Sequence, residues 1–387
     1  MKNDFLEKQL KHKERNIQDL VRFIKTKAGK TSNFALFLGS GCSISSGVKS
    51  AAQLSEEWLK EIYLNENIRN NDTADVDNFS SEIARKYLLE HCGEWYNPSH
   101  EYSCLFEKRF DLPSQRRAFV EEEVGGKFPS IGYAYLIRLI EEHYFNTIFT
   151  TNFDDLLNEA FHLFADNNFS DATQNRDLMR PILCAHDSSV KSISISSARP
   201  KIVKLHGDYL FDDIKSTLRE TESLEDNIRN KFVEFCKEFG LIVVGYSGND
   251  RSIMDVINYL LKSDDYLKNG LYWCIRQSDD ISDELKKLLW KERVYYVYID
   301  GFDELFAQLY HQIIAPDQLP IPRTLPNKSN VIVEKLANNE ILKKSSSPFI
   351  QDILSKLRDE YRRNSFFNNM KDVLFPEGKI EDFQGLS

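Results

Sequence analysis

Six short runs of apolar residues, most of them β-branched or aromatic, punctuate the chain at residues 34–38, 147–149, 202–205, 241–244, 271–275 and 294–299. A strand with one wet face alternates apolar and polar residues, whereas an unbroken apolar run needs cover on both faces. Such strands belong to parallel sheets. Helical patterns at 155–164 and 252–261, after the second and fourth runs, supply the crossovers that parallel neighbours require. The expected fold class is therefore α/β, a Rossmann-like doubly wound parallel sheet.

Between about residues 52 and 145 the pattern is helical instead. Leu54, Trp58 and Ile62 share one spacing, Ile83, Tyr87 and Leu88 a second, and Tyr133, Leu136, Ile137 and Ile140 a third after Pro129. This interval reads as a helical insertion beside the sheet. Ile17, Leu20, Val21 and Ile24 make a leading amphipathic helix. Beyond a proline-spaced stretch at 316–326, Ile350, Ile353, Leu354, Leu357 and Tyr361 recur at helical spacing. The expected organisation is an N-terminal helix in 1–30, a main domain over 31–312 carrying the insertion, a linker over 313–327, and a helical appendage over 328–387. The appendage and the leading helix are expected to serve for docking.

Composition excludes several classes. A chain of 387 residues with 41% apolar content can bury a full core. The net charge is −10 and the basic residues are scattered among acidic ones, so tight binding to nucleic acid is not expected. Six cysteines lie far apart with no C-x-x-C pair, so no metal site, and zinc least of all, is expected. No run of eighteen apolar residues exists and residues 1–30 are charged throughout. The expected location is the cytoplasm, with reduced thiols and no membrane contact.

In open parallel sheets ligands bind beyond the carboxyl ends of the strands, so the residues after each run carry the chemistry. The first run leads into Gly39-Ser40-Gly41-Cys42-Ser43-Ile44-Ser45-Ser46-Gly47, the second into Thr150-Thr151-Asn152-Phe153-Asp154, the third into His206-Gly207-Asp208, and the fourth into Gly245-Tyr246-Ser247-Gly248-Asn249-Asp250. A glycine-rich loop lets backbone N–H groups approach a pyrophosphate. Here Ile44 stands where a dehydrogenase fingerprint has its third glycine, and the spacing to Lys49 is wrong for a P-loop, so a plain tight turn is the rival reading. Asn152 can hold a water or a ribose hydroxyl and Asp154 can accept a hydrogen bond, while Asp155 reads as the N-cap of the next helix. His206 alone among the histidines sits at a strand terminus beside a glycine, where an imidazole suits acid–base work. His91, His100, His143, His162 and His186 read as structural hydrogen-bonders. In the fourth loop, Ser247 and the glycines suit a ribose or phosphate, or form a turn capped by Asn249 or Asp250.

In this order the four stretches resemble the sirtuin family over about residues 34–300. G-S-G-C-S-I-S-S-G resembles the family's G-A-G-x-S-x-x-S-G, T-T-N-F-D resembles T-Q-N-I-D, K-L-H-G resembles the segment with the catalytic histidine, and V-G-Y-S resembles V-G-T-S. The resemblance implies NAD as the substrate. It implies Asn152 as the catalytic asparagine at the nicotinamide-side ribose, His206 as the catalytic histidine, and Asp154 as a pocket carboxylate. Gly39, Ser40, Gly41, Cys42, Ser43, Thr151, Gly245, Tyr246 and Ser247 are the NAD contacts it implies.

The departures narrow the resemblance. Sirtuin deacylases carry two C-x-x-C pairs for zinc and an F-G-E-x-L-P-type segment that lines the acyl-lysine channel. This chain has no such pairs and reads Asp208-Tyr209-Leu210-Phe211-Asp212-Asp213 after its histidine. The deacylase I-P-D-F-R segment is replaced by Val48-Lys49-Ser50-Ala51. What remains resembles the bacterial sirtuin-like effectors of antiphage defence, which are similar to NAD glycohydrolases. That branch implies hydrolysis of NAD to nicotinamide and ADP-ribose, a homo-oligomer, and a separate sensor or ATPase as partner, a HerA-type ATPase being favoured. The alternatives are a non-catalytic sensor or scaffold that binds NAD or ADP-ribose and, below it, an NAD-dependent protein deacylase.

Overall fold

The computed structural model describes residues 4–29, 31–69, 79–165, 180–185, 187–190, 193–195, 197–206, 226–316, 318–321 and 326–374. One sheet holds β1 (Glu14–Arg15), β2 (Phe34–Leu38), β3 (Thr147–Thr150), β4 (Ile182–Cys184), β5 (Lys201–Lys204), β6 (Gly240–Val244), β7 (Leu271–Ile275) and β8 (Val294–Tyr298). The strand order is β1-β8-β7-β6-β2-β3-β5-β4, and all its pairings are parallel. This is the Rossmann-like parallel sheet that the apolar runs imply. All six runs are strands. The two strands without such a run lie at the edges, where β1 is two charged residues and β4 is three residues paired on one side only. A short strand with one partner needs no unbroken apolar sequence, so it leaves no signature.

Helices alternate with the strands: α1 (Asp4–Gln9), α2 (Ile17–Lys25), α3 (Ala51–Arg69), α4 (Ser81–His91), α5 (Glu101–Arg109), α6 (Pro113–Val124), α7 (Ile131–Glu141), α8 (Leu156–Phe164), α9 (Asp187–Val190), α10 (Asp226–Glu238), α11 (Arg251–Leu260), α12 (Asp283–Leu289), α13 (Phe302–Ile313), α14 (Pro326–Ala337) and α15 (Pro348–Leu374). Successive strand residues point to opposite faces, so β2 sends Phe34, Leu36 and Leu38 into one core and Ala35 and Phe37 into the other. The first core is closed by α2, α7, α8, α13, α14 and α15, the second by α1, α9, α10, α11 and α12. A third cluster joins α3 to α6 around Trp58, whose ring stacks on Phe106 at 4.9 Å and meets Tyr102, Phe110 and Phe119.

The helical interval therefore divides. The insertion beside the sheet is α3 to α6, whereas α7 is buried almost throughout and packs on the first face against α13. The approach is close enough that a Cβ on Gly132 would stand 2.7 Å from the Phe302 ring. The Gly132 N–H donates to Asp303 Oδ1 at 2.7 Å.

The terminal stripes read as docking faces are already covered within the chain. Leu20, Val21 and Ile24 of α2 are buried in the first core, as are Val333, Leu336, Ile350, Ile353, Leu354 and Leu357 of α14 and α15. An amphipathic stripe records only that something covers it, and here the cover is the protein's own sheet layer. A capping box starts α2, with Asn16 accepting from the Asp19 N–H at 2.8 Å and Asp19 accepting from the Asn16 N–H at 3.1 Å. The segment between α14 and α15 reaches the loop after β2, where Asn339 Nδ2 donates to the Ser45 carbonyl at 2.8 Å.

From β2 the chain passes to β3 beside it, out to the edge strand β4, back to β5 between them, then crosses to β6 on the other side of β2. The loops leaving β2 and β6 thus part over the carboxyl edge of the sheet, which is the crevice where such folds bind ligands.

Candidate functional site

The two diverging loops first touch. The Gly39 N–H donates to the Val244 carbonyl and the Gly41 N–H to the Gly245 carbonyl, each at 2.9 Å. A Cβ on Gly39 would lie 2.4 Å from the Gly245 oxygen, and one on Gly41 would lie 2.8 Å from Gly245 Cα. Gly245 itself has φ +67°, a backbone region that side chains disfavour. These glycines are thus required where loop crosses loop, before any ligand is considered.

Beside that crossing, β3 ends in a chain of hydrogen bonds. Thr150 Oγ1 donates to the Leu38 carbonyl at 2.9 Å and accepts from the Asn152 N–H at 3.0 Å. Asn152 Nδ2 donates to the Gly39 carbonyl at 3.1 Å and to Ser43 Oγ at 3.0 Å. Ser43 Oγ donates in turn to Asp154 Oδ2 at 2.6 Å. Asp155 is the N-cap residue of α8, as expected, but its side chain makes no cap bond and accepts from Asn158; the Leu156 N–H donates to Asp154 Oδ1 instead, at 3.2 Å. Lys204, at the end of β5, donates to the Asp154 carbonyl at 2.6 Å and so holds the loop from the neighbouring strand. Ser43, Asn152, Asp154 and Lys204 are all buried. Asn152 Oδ1 is a buried acceptor with no partner among the described residues.

His206 follows β5 and is 5% exposed. Its Nε2 is hydrogen-bonded to Asp250 Oδ2. Asp250 is the N-cap of α11: its Oδ1 accepts from the Ser252 N–H at 2.9 Å and from Ser252 Oγ at 2.8 Å. Burial pushes the Asp250 carboxyl up, but the His206 bond and charge, the Ser252 hydroxyl and the Ile253 N–H outweigh it and hold it below the usual carboxylate value. An ionised Asp250 accepts only, so Nε2 carries a proton, and in the neutral ring Nδ1 is the acceptor. Sequence reasoning left Asp250 as a turn cap. Its second oxygen, turned to a histidine 44 positions away, had no signal in the chain.

These groups face one cavity of about 1190 Å³. Ser40, Gly41, Ser43, Thr151, Asn152, Asp154, His206, Gly245, Tyr246 and Ser247 line its sheet side. Gly39 and Cys42 stand behind that wall, and the Cys42 thiol donates to the Val244 carbonyl at 3.3 Å. Burial pushes that thiol well up. The Tyr246 ring turns toward the second core, 4.8 Å from the Phe37 ring. Gly207 and Asp208, with residues 209–213, lie outside the described residues. The opposite wall was not foreseen: α3 and α6 contribute Leu54 and Phe119, His100 joins them, and Glu304, Leu342 and Lys344 close the far end. Arg85 on this wall is held between Glu56 and Glu101, both of which accept from its guanidinium. Among the described residues no group of three or more His, Cys, Asp or Glu is placed to hold a metal ion, and no helix is long and apolar enough to cross a membrane.

Comparison with curated proteins finds no match. Among solved structures, one described as the structural basis for the mechanism and regulation of Sir2 enzymes aligns at 15% identity and a TM-score of 0.38, covering 77% of this chain and 97% of that one. A serine-to-alanine variant of a Sir2 homologue in complex with ADP-ribose aligns at 11% identity and 0.41, covering 76% and 96%. A histidine-to-asparagine variant, also with ADP-ribose, aligns at 12% and 0.40, with the same shares. Residues 146–297, which carry Asn152, Asp154, His206 and Asp250, match the model of the SIR2-like domain.

Proposed function

We propose that the protein is an NAD glycohydrolase, cleaving NAD to nicotinamide and ADP-ribose. The observation that carries this reading is the placement of Asn152 and His206 at the ends of β3 and β5, strands paired Thr150 to Lys204, on the wall of the cavity entered by the glycine loop. A ligand with a pyrophosphate between two sugars suits such a crevice beyond the carboxyl ends of the strands, with Ser247 for a hydroxyl.

Nicotinamide leaves a ribose as a neutral molecule from a cationic ring, so the C1′–N bond breaks with its electron pair going to nicotinamide. The sugar passes through an oxocarbenium-like state, as in glycoside hydrolysis. Asn152 would orient the ribose hydroxyls and the attacking water. His206, with Nδ1 as acceptor, would take the proton that water loses as its oxygen bonds C1′. Water is the acceptor in this reading because the chain lacks the acyl-lysine segment and cysteine pairs of the deacylases.

A second reading, a binder of NAD or ADP-ribose without turnover, is favoured by one observation. Both protons of the Asn152 amide hold the glycine loop, a role that needs no chemistry. Purified chain incubated with NAD, with nicotinamide and ADP-ribose followed by chromatography beside a calorimetric titration, separates the two. Hydrolysis at the wild-type rate by both Asn152→Ala and His206→Ala would remove the catalytic assignment. By the same proposal the enzyme is an NAD-depleting effector of bacterial antiphage defence, a homo-oligomer active on assembly with a separate sensor or ATPase, a HerA-type ATPase being favoured. Adding the product of the neighbouring gene to the same assay tests that part.

A further inference from the structure

We infer that Asp250 is a positioning residue for this reaction, fixing the ring and tautomer of His206 from the opposite side of the crevice. The inference rests on the glycohydrolase reading and adds a residue to it. The geometry is unusual for a turn cap. His206 follows β5 and Asp250 lies in the loop after β6, and β3 and β2 stand between those strands in the sheet. At about 4.8 Å per strand, the two loops cross roughly 14 Å of sheet edge to meet.

Neither side of the contact is free to turn. Asp250 Oδ1 is held by the Ser252 N–H and hydroxyl at the start of α11, so the carboxylate plane is set by the helix. The same helix N-terminus favours the anion. Oδ2 is left to accept from Nε2, and His206 is buried where it donates this bond. An orienter that accepts from one imidazole nitrogen leaves the other as the base, the arrangement that a histidine general base requires. A cap alone would need one oxygen; the second is turned to the histidine.

Asp250→Asn separates the two roles. The amide oxygen still caps α11, while the NH2 group faces Nε2 and favours the opposite tautomer. The expected result is a fall in kcat of about 10²-fold or more, with KM for NAD within about 3-fold. Independently of turnover, ¹⁵N shifts of the His206 ring at pH 8 show the proton on Nε2 in the wild type and on Nδ1 in the variant. Asp255→Asn makes the same change on the exposed face of α11, away from the contact, and keeps kcat within a few-fold. Asp250→Asn with wild-type kcat, or with the His206 proton still on Nε2, overturns the inference, and so does a variant faster than the wild type. If the wild type releases no nicotinamide, the glycohydrolase reading fails, while the ring nitrogens still report whether Asp250 sets the tautomer.

Discussion

Ser43 donates to the Asp154 carboxylate at 2.6 Å while accepting from the Asn152 amide at 3.0 Å, so one hydroxyl ties the loop after β2 to the loop after β3. All three groups are buried. Replacing Ser43 with alanine removes a donor from Asp154 and an acceptor from Asn152. Losing one partner of a buried pair costs about 1–3 kcal/mol. The expected outcome for Ser43→Ala is a loss of that size in denaturant unfolding, with NAD turnover falling at least tenfold because Asn152 is no longer fixed.

Gly39 tests the loop crossing. A Cβ there would stand 2.4 Å from the Gly245 carbonyl, a backbone atom that cannot swing aside. Gly39→Ala should destabilise by about 1–3 kcal/mol, as overpacking does, and should weaken NAD binding in calorimetry through displacement of both loops. Gly29, whose added Cβ would meet nothing within 4 Å but whose φ is +61°, gives the cost of a left-handed backbone alone, against which the overlap at Gly39 is read.

The C-terminal helices should behave as core. Leu354 is fully buried against the first face. Leu354→Ala is expected to cost about 2–5 kcal/mol, read as a lower unfolding midpoint in the whole chain. A cost under about 0.5 kcal/mol would mean that α15 is a loosely attached appendage.

Lys201 gives a pH signature. It is fully buried, its ammonium donates to the Ser197 carbonyl at 2.6 Å, and burial pulls its pKa from 10.5 down to about 8. Between pH 8 and 10.5 the unfolded chain holds this proton and the folded chain does not, so the group's contribution to stability rises with pH across that window. It is lost again as pH falls toward 8. Subtracting the Lys201→Met profile from the wild-type profile of Tm against pH should leave a rise confined to that interval. A flat difference would show that Lys201 titrates normally.

Much of the sheet was legible because its strands are covered on both faces. Phe34–Leu38, Leu241 to Val244 and Leu271–Ile275 have no polar alternation, and each is a central or fully paired strand. Asn152 and His206 were legible because a parallel sheet places whatever follows such runs at one edge. Glu14–Arg15 escaped because a two-residue strand is defined by its partner, Tyr296 and Val297, and not by its own residues.

What the sequence determined by itself was therefore periodic or local: the apolar runs, the helical stripes, the glycine loop and the polar residues at strand ends. Tertiary structure decided what covers what. The stripe of Ile350, Ile353, Leu354 and Leu357 is the same string whether a partner or the chain's own sheet layer buries it, and only packing shows the latter. Likewise Asp250 caps α11 with one oxygen, which its place before a helix foretells, and meets His206 with the other. That second contact joins loops from strands with two others between them, a distance that no local pattern encodes.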